Sequence, residues 1–283
     1  MNNAAYDDDN FLTSLLVVLV LYERNLEESE AFTSLSLALS ESTQSVSLFV
    51  YDNSALPHEI PIQKTWNIHY RHDGKNAGVS RAYNAGFEWA RSQNKKWLLL
   101  VDQDTYFPKI IFNHYYQATR DSATSLIVPR LVDSNGIISP HKFKWGGGQR
   151  KKKIPSDSLL SLSDYYFLNS GMLVSVSTFG AARYDELLTL DFSDFAFIER
   201  LRPTVSHFRV TDLDCIHRLS SGELIPLSLR LNRFKNYLWA SRYFKMHYRP
   251  NAHGIGFRNL LRTLKLSLQY RSITFIAGYL RAL

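Results

Sequence analysis

Two aspartates two residues apart, Asp102 and Asp104, follow directly on the apolar run Trp97-Leu98-Leu99-Leu100-Val101. Carboxylates at that spacing are hard oxygen donors, suited to Mg²⁺ or Mn²⁺ bridging to a diphosphate. The plainer alternative is a solvated loop start, or a helix cap ahead of Pro108. The preceding run decides how the pair is read. It is short, contains Trp and Val and carries no charge, which predicts a strand buried on both faces of a parallel sheet. Ligands of open α/β sheets sit outside the carboxyl ends of such strands.

The elements around it alternate. Apolar residues from Phe11, and most densely over Thr13–Tyr22, predict a first buried strand, and the 3–4 spacing of Phe32, Leu35 and Leu39 predicts a helix over Glu27–Ser42. Further strands are expected at Ser45–Tyr51, Trp66–Arg71, Ser125–Val132 and Ile137–Lys142, with helices at Gly78–Ser92 and Pro108–Arg120. Strand-like character returns over Asp164–Ser177. This alternation predicts an α/β fold with a mostly parallel sheet covered on both faces. Gly146-Gly147-Gly148 followed by Arg150-Lys151-Lys152-Lys153 predicts a mobile loop, a plausible lid over an acceptor. It is not a phosphate loop, because no strand–Gly–helix context with Lys-Ser/Thr surrounds it.

Composition narrows the class. Of 283 residues 45% are hydrophobic, with 16 Tyr and 17 Phe, enough for a packed core. The single cysteine, Cys215, excludes an internal disulfide and a Cys-based zinc cluster, and suits a reducing compartment. Asp7, Asp8 and Asp9 stand where a signal peptide would need basic residues, so a cytoplasmic location is expected. Residues 1–223 carry a net charge of −4, whereas eleven Lys and Arg and no acid follow Glu223. Within that basic segment Phe257, Leu260, Leu261, Leu264 and Leu268 fall on one side of a helix, with Arg258, Arg262 and Lys265 toward the other. Such a helix suits an anionic membrane surface. Packing on its own domain, or on a second copy in a homodimer, is the alternative. No nucleic-acid recognition motif accompanies the tail. The expected organisation is therefore residues 1–223 as a catalytic domain and 224–283 as a basic helical extension.

Several segments, in order, resemble the family 2 glycosyltransferases of the GT-A fold, most closely rhamnosyltransferase-type members that build bacterial polysaccharides. They are Tyr22-Glu23-Arg24-Asn25, Val50-Tyr51-Asp52-Asn53-Ser54, the N-x-G-x-x-x-x-x-N-x-G stretch from Asn76 to Gly86, the D-x-D at Asp102-Gln103-Asp104, Asn169-Ser170-Gly171, the segment from Asp185 to Asp194, and Cys215-Ile216-His217-Arg218. Thr189 and Leu190 depart from the family's aromatic–aliphatic pair, and Phe195-Ala196 stands where an acid is usual. A single D-x-D occurs by chance in many chains, whereas this ordered set covers about residues 13–242.

The resemblance implies sugar transfer from a UDP- or dTDP-linked donor to an oligosaccharide or lipid-linked acceptor, metal-dependent and inverting, at the inner face of a bacterial plasma membrane. Asp102, Asp104 and His217 would hold Mg²⁺ or Mn²⁺, though His217 could equally be bonded to a backbone carbonyl. Tyr22, Asp52, Asn76, Gly78, Arg81, Asp102 and Gln103 would contact the nucleotide. Asp52 would accept the imide N–H of the base, or else close an Asx turn; Gly78 would let the backbone approach the ligand; Asn76 and Asn84 could instead hold the loop. Arg218 and Arg242 could meet phosphate oxygens or lie on the surface. Asp191 or Asp194 would be the base that deprotonates the acceptor, Asp191 first, unless it caps the following helix. Two other readings compete. A sugar nucleotidylyltransferase would show a Gly-rich basic signature after the first strand, which Tyr22–Asn25 lacks; a non-catalytic nucleotide-sugar-binding protein would need no intact carboxylates.

Overall fold

The computed structural model describes residues 9–121, 123–218 and 225–282. The expected boundary at 223/224 and the acidic Asp7 and Asp8 lie outside the described residues.

The centre is a parallel set of strands in the order β3-β2-β1-β4, formed by β1 (Leu15–Leu21), β2 (Val46–Asp52), β3 (Trp66–His72) and β4 (Trp97–Asp102). Every residue of β1 is buried, because side chains of alternating parity enter two different cores. Val17, Leu19, Leu99 and Val101 meet α2 (Glu30–Ala38) and α4 (Ile111–Thr119) on one face. Val18, Leu98 and Leu100 meet α3 (Val79–Ser92), α5 (Val176–Ala182) and α6 (Ser193–Leu201) on the other. Uninterrupted apolar runs are what such a position requires.

Beyond β4 the sheet becomes mixed. β11 (Met172–Ser175) lies antiparallel between β4 and β6 (Leu126–Asp133), and β7 (Gly136–Lys144) and β10 (Tyr165–Tyr166) continue the order. The long β12 (His207–His217) runs parallel to β6 and pairs at its end with the two-residue β5 (Thr105–Tyr106). That last pairing carries His217 to Thr105, beside the aspartates.

Two expectations are corrected. The first turns of the apolar run from Phe11 form a short helix, α1 (Asp9–Ser14), ahead of the strand. Phe11 and Leu12 are buried as expected, but apolar content alone does not separate helix from strand in so short a run. The glycine run is not a mobile loop: Gly147–Lys151 is β8, paired antiparallel with β7. Gly146, at φ +76°, turns the hairpin, and a Cβ there would come within 2.5 Å of the Ile255 backbone, so the glycine lets the turn seat against the C-terminal helices.

Those helices are α7 (Leu227–His247), α8 (Gly254–Gln269) and α9 (Thr274–Arg281). They share a third core in which Phe234, Leu238, Phe244 and Phe275 meet Leu188, Phe192 and Ala196. The side of α8 that enters this core holds Ile255, Asn259, Thr263 and Leu266, and Asn259 Nδ2 donates to Ser241 Oγ of α7 at 2.8 Å. The apolar stripe Phe257–Leu268 faces away from it. The helix thus packs on its own chain, but through the opposite side from the one that hydrophobicity suggests.

The hairpin makes a checkable statement. Gly146→Val should cost about 2 kcal/mol in chemical denaturation through strain at positive φ and the clash with Ile255. It should also open tryptic cleavage after Arg150 and Lys151, which strand pairing protects in the parent chain. Equal cleavage of parent and variant would show that the hairpin does not hold these residues.

Candidate active site

Strand register brings the chemistry together. Leu21 of β1 stands opposite Asp52 of β2, and Val20 stands opposite Asp102 of β4, so three carboxyl ends finish level at one edge of the sheet. Gln103 fastens this edge. Its side chain accepts from Tyr22 N at 2.9 Å and donates to Tyr22 O at 3.2 Å, while its carbonyl accepts from Ser29 Oγ at 3.1 Å. Gln103 therefore holds the ends of β1 and β4 to one another, and Tyr22 projects into solvent beside them.

Asp102 Oδ1 accepts a 2.6 Å hydrogen bond from Tyr83 of α3, and its backbone N–H donates to Ser170 Oγ at 3.0 Å. Burial, followed by the charge of Asp102, pushes the Asp104 carboxyl up to about 6, the His217 imidazole opposing. His217 Nδ1 lies 3.6 Å from Asp104 Oδ1 and 2.7 Å from Thr105 Oγ1, which in turn reaches Ser170 Oγ at 2.7 Å. Among the described residues no group of three or more His, Cys, Asp or Glu is placed to hold a metal ion, so the expected Asp102–Asp104–His217 ligand set is not assembled. The carboxylate pair alone still fits Mg²⁺ or Mn²⁺. Two neighbouring carboxylate oxygen donors are what these ions use when a substrate diphosphate and water complete the shell.

Asp52 is fully buried, and its oxygens accept from Ser54 N at 2.9 Å, Tyr70 OH at 2.7 Å and face His58 Nδ1 at 2.8 Å. Burial alone would raise its pKa, but the hydrogen bonds from Ser54, Tyr70 and His58 prevail and hold it below the usual range. Asp52 is thus enclosed, with both carboxylate oxygens engaged by the chain's own groups. The reason is its place on an inner strand, closed over by the loop carrying His58 and by the neighbouring β3. A second carboxylate, Asp73, stands half-exposed just after β3 and accepts from Tyr51 OH at 2.8 Å.

The loop from Asn76 is stitched to the segment 184–191 instead of standing free. Gly78, at φ +89°, lies so close to Thr189 that a Cβ would overlap its carbonyl, and Val79 N donates to that oxygen at 2.8 Å. Gly78 thus lets the start of α3 sit against the Thr189 backbone. Ser80 Oγ donates to Leu188 O at 2.5 Å, Arg81 Nε to Glu186 Oε2 at 3.0 Å, and Asn84 exchanges hydrogen bonds with the Tyr184 backbone at 2.9 and 3.0 Å. Asn76, at φ +48°, turns the loop with its N–H on Asp73 O at 3.0 Å. Arg218, exposed, pairs with Glu30 at 3.2 Å.

Across this crevice lies the first turn of α6. Burial pushes the Asp194 carboxyl up to about 7, with Asp102 and Asp191 adding to the rise against the Asp194 and Phe195 amides. Tyr83, whose hydroxyl holds Asp102, packs on Tyr184 with ring centroids 5.3 Å apart, and is influenced by both Asp102 and Asp194. Asp191 is not the helix cap; that position is Phe192, in the left-handed region at φ +66°. Burial raises the Asp191 pKa too, but its opposing charges are Arg262 and Arg233 of the C-terminal helices. Tyr83 and Asp73 escaped the sequence reading. Tyr83 carried one usable signal, a tyrosine on the core side of an amphipathic helix whose hydroxyl needs a partner.

Comparison with known proteins agrees with this fold. Residues 45–173 match the model of the family described as Glycosyl transferase family 2. No curated protein matches the chain. Among solved structures it is similar to S. aureus TarS 1–349 in complex with UDP-GlcNAc, with 13% identity and a TM-score of 0.55 over 95% of this chain and 81% of that one. It is similar also to GalNAc-T7 with UDP, GalNAc and Mn²⁺, with 12% identity and a TM-score of 0.55 over 87% of this chain and 52% of that one. Against the longer S. aureus TarS structure the chain spans 44% of that protein's length. The fold is that of the GT-A enzymes, and the stretch from β2 to the start of β11, with the Asp102–Asp104 pair inside it, is the part of the chain similar to the glycosyl transferase family 2 model.

Proposed function

We propose that the protein transfers a sugar from a nucleoside-diphosphate donor to a saccharide hydroxyl, with inversion and with a divalent cation. The observation that carries this reading is the pairing of roles across one crevice: a repelling carboxylate pair on β4 and, on α6, a carboxyl whose pKa stands near 7. A base poised near working pH can take a proton and still hold it, whereas an ordinary aspartate is too weak.

Asp102 and Asp104 would hold Mg²⁺ or Mn²⁺, which when bound supplies positive charge to the leaving diphosphate. His217, bonded to Thr105, holds the back of that corner. Asp194 takes the proton of the acceptor hydroxyl as its oxygen bonds to the anomeric carbon. The bond from that carbon to the diphosphate breaks, and its electron pair leaves on the diphosphate oxygen. One displacement from the face opposite the leaving group inverts the centre. Asp194 is preferred to Asp191 because it is the carboxyl influenced by Asp102, while Asp191 is influenced by Arg262 and Arg233. Asp73 and the turn at Asn76 border the nucleoside end, with Asp52 stiffening β2 behind them. The UDP and UDP-GlcNAc held by the TarS structures, and the UDP and Mn²⁺ held by GalNAc-T7, support a uridine donor and a metal. The motif resemblance supports a bacterial polysaccharide acceptor and a rhamnosyl or hexosyl donor.

Three outcomes follow. Asp104→Ala should abolish transfer and also the Mn²⁺-dependent rise in Tm on adding a UDP-, dTDP- or GDP-sugar; a nucleotide-sugar shift that ignores both Mn²⁺ and this substitution contradicts the metal role. Asp194→Asn should lower kcat by about 10³-fold, and Asp191→Asn far less, with wild-type kcat/KM rising with pH to a plateau above about 7. The reverse order of the two variants would move the base to Asp191. Because the folded state binds the Asp194 proton more tightly than the unfolded chain, wild type loses that stabilisation as pH climbs toward 7. The Tm advantage of Asp194→Asn should therefore grow from about pH 4 to pH 7 and then level off.

A further inference from the structure

Helix α8 has two opposite sides. One enters the third core through Ile255, Asn259, Thr263 and Leu266. On the other, Phe257, Leu260, Leu261, Leu264 and Leu268 recur at 3–4 spacing and are all exposed, Leu268 by 80%. Helix α9 repeats the arrangement: Phe275 is buried in the same core while Ile273, Ile276 and Leu280 stay exposed. Two adjacent helices thus turn an apolar stripe away from the core that holds them. An aqueous surface does not ordinarily leave so much contiguous aliphatic area bare.

Charge identifies what covers it. No acidic residue follows Glu223, and Arg258, Lys265, Arg271 and Arg281 are exposed on the same two helices or the link between them. A second copy docking through the same face would set these cations against their own images. An anionic surface would neutralise them. No helix is long and apolar enough to cross a membrane among the described residues, so contact is in the plane of the interface. We propose that the outward stripe of α8 and α9 is a docking surface for an anionic phospholipid bilayer, the aliphatic side chains entering the acyl boundary and the flanking Lys and Arg meeting the headgroup phosphates. This stands apart from the proposed chemistry, since the stripe contributes nothing to the crevice, and its test requires no sugar transfer.

The test is co-sedimentation of the full chain with vesicles of phosphatidylcholine, with and without phosphatidylglycerol. The parent should bind the phosphatidylglycerol vesicles at least about tenfold more tightly, and the preference should fall with added salt. Leu261→Ser with Leu264→Ser, both at exposed positions, should weaken binding by more than about tenfold with an unchanged melting curve. Lys265→Glu with Arg271→Glu should remove the preference for the anionic lipid. A Leu264→Trp variant should be quenched by lipids brominated on the acyl chain. The proposal is overturned if the parent ignores both vesicles, if the Leu261/Leu264 variant binds as the parent does, or if the inserted Trp is not quenched. A dimer of the parent that this variant dissolves, without vesicle binding, would show that a second copy covers the face.

Discussion

Two carboxylates held close together in a partly buried corner repel one another, and much of this molecule is arranged to hold them there. The level ends of β1, β2 and β4 define the corner, Gln103 ties β1 to β4, and Tyr83, Ser170, Thr105 and His217 bond the pair and its surroundings from three directions. The cost is visible in Asp104, whose proton is held up to about pH 6. Under the proposed function, a cation bound there would relieve this repulsion.

The same economy links donor and acceptor sides. The first turns of α3 are bonded to residues 184–189 at four points, so the loop that would touch the nucleotide and the segment that leads to Asp194 move as one. Asp185, in that segment, accepts hydrogen bonds from Tyr243 at 3.0 Å and Tyr248 at 2.7 Å. The C-terminal helices are thereby joined to the crevice wall as well as to Leu188 and Phe192. A surface docked through α8 and α9 would hold the crevice at a fixed attitude to whatever acceptor that surface carries.

The sequence was readable where a local pattern has one physical solution. An uncharged apolar run fixes a doubly buried strand, and two aspartates at its end fix a polar crevice; β1, β4, α3 and the D-x-D follow from that. It was unreadable where a remote partner decides. The partners of Asp52 were not visible in the sequence: β3 supplies Tyr70 and the loop between β2 and β3 supplies His58. Gly146–Gly148 looked unstructured because the helix against which the hairpin turn seats, α8, is distant in the chain. Helix α8 showed two faces without saying which the core would take, and it takes the one with Asn259, whose amide finds Ser241. Asp191 and Asp194 were indistinguishable by spacing, and the charges around them differ: Arg262 and Arg233 act on Asp191, Asp102 on Asp194.

Calorimetry of proton release tests the central claim most directly. A UDP-sugar with Mn²⁺ is titrated into the protein in buffers of different ionisation enthalpy, at pH 6 and at pH 8. If Asp104 is the strained half of a metal-receiving pair, binding at pH 6 expels a substantial fraction of a proton, binding at pH 8 expels almost none, and Asp104→Asn silences the difference. Tight binding with no proton release at pH 6, unchanged by that substitution, would contradict the account.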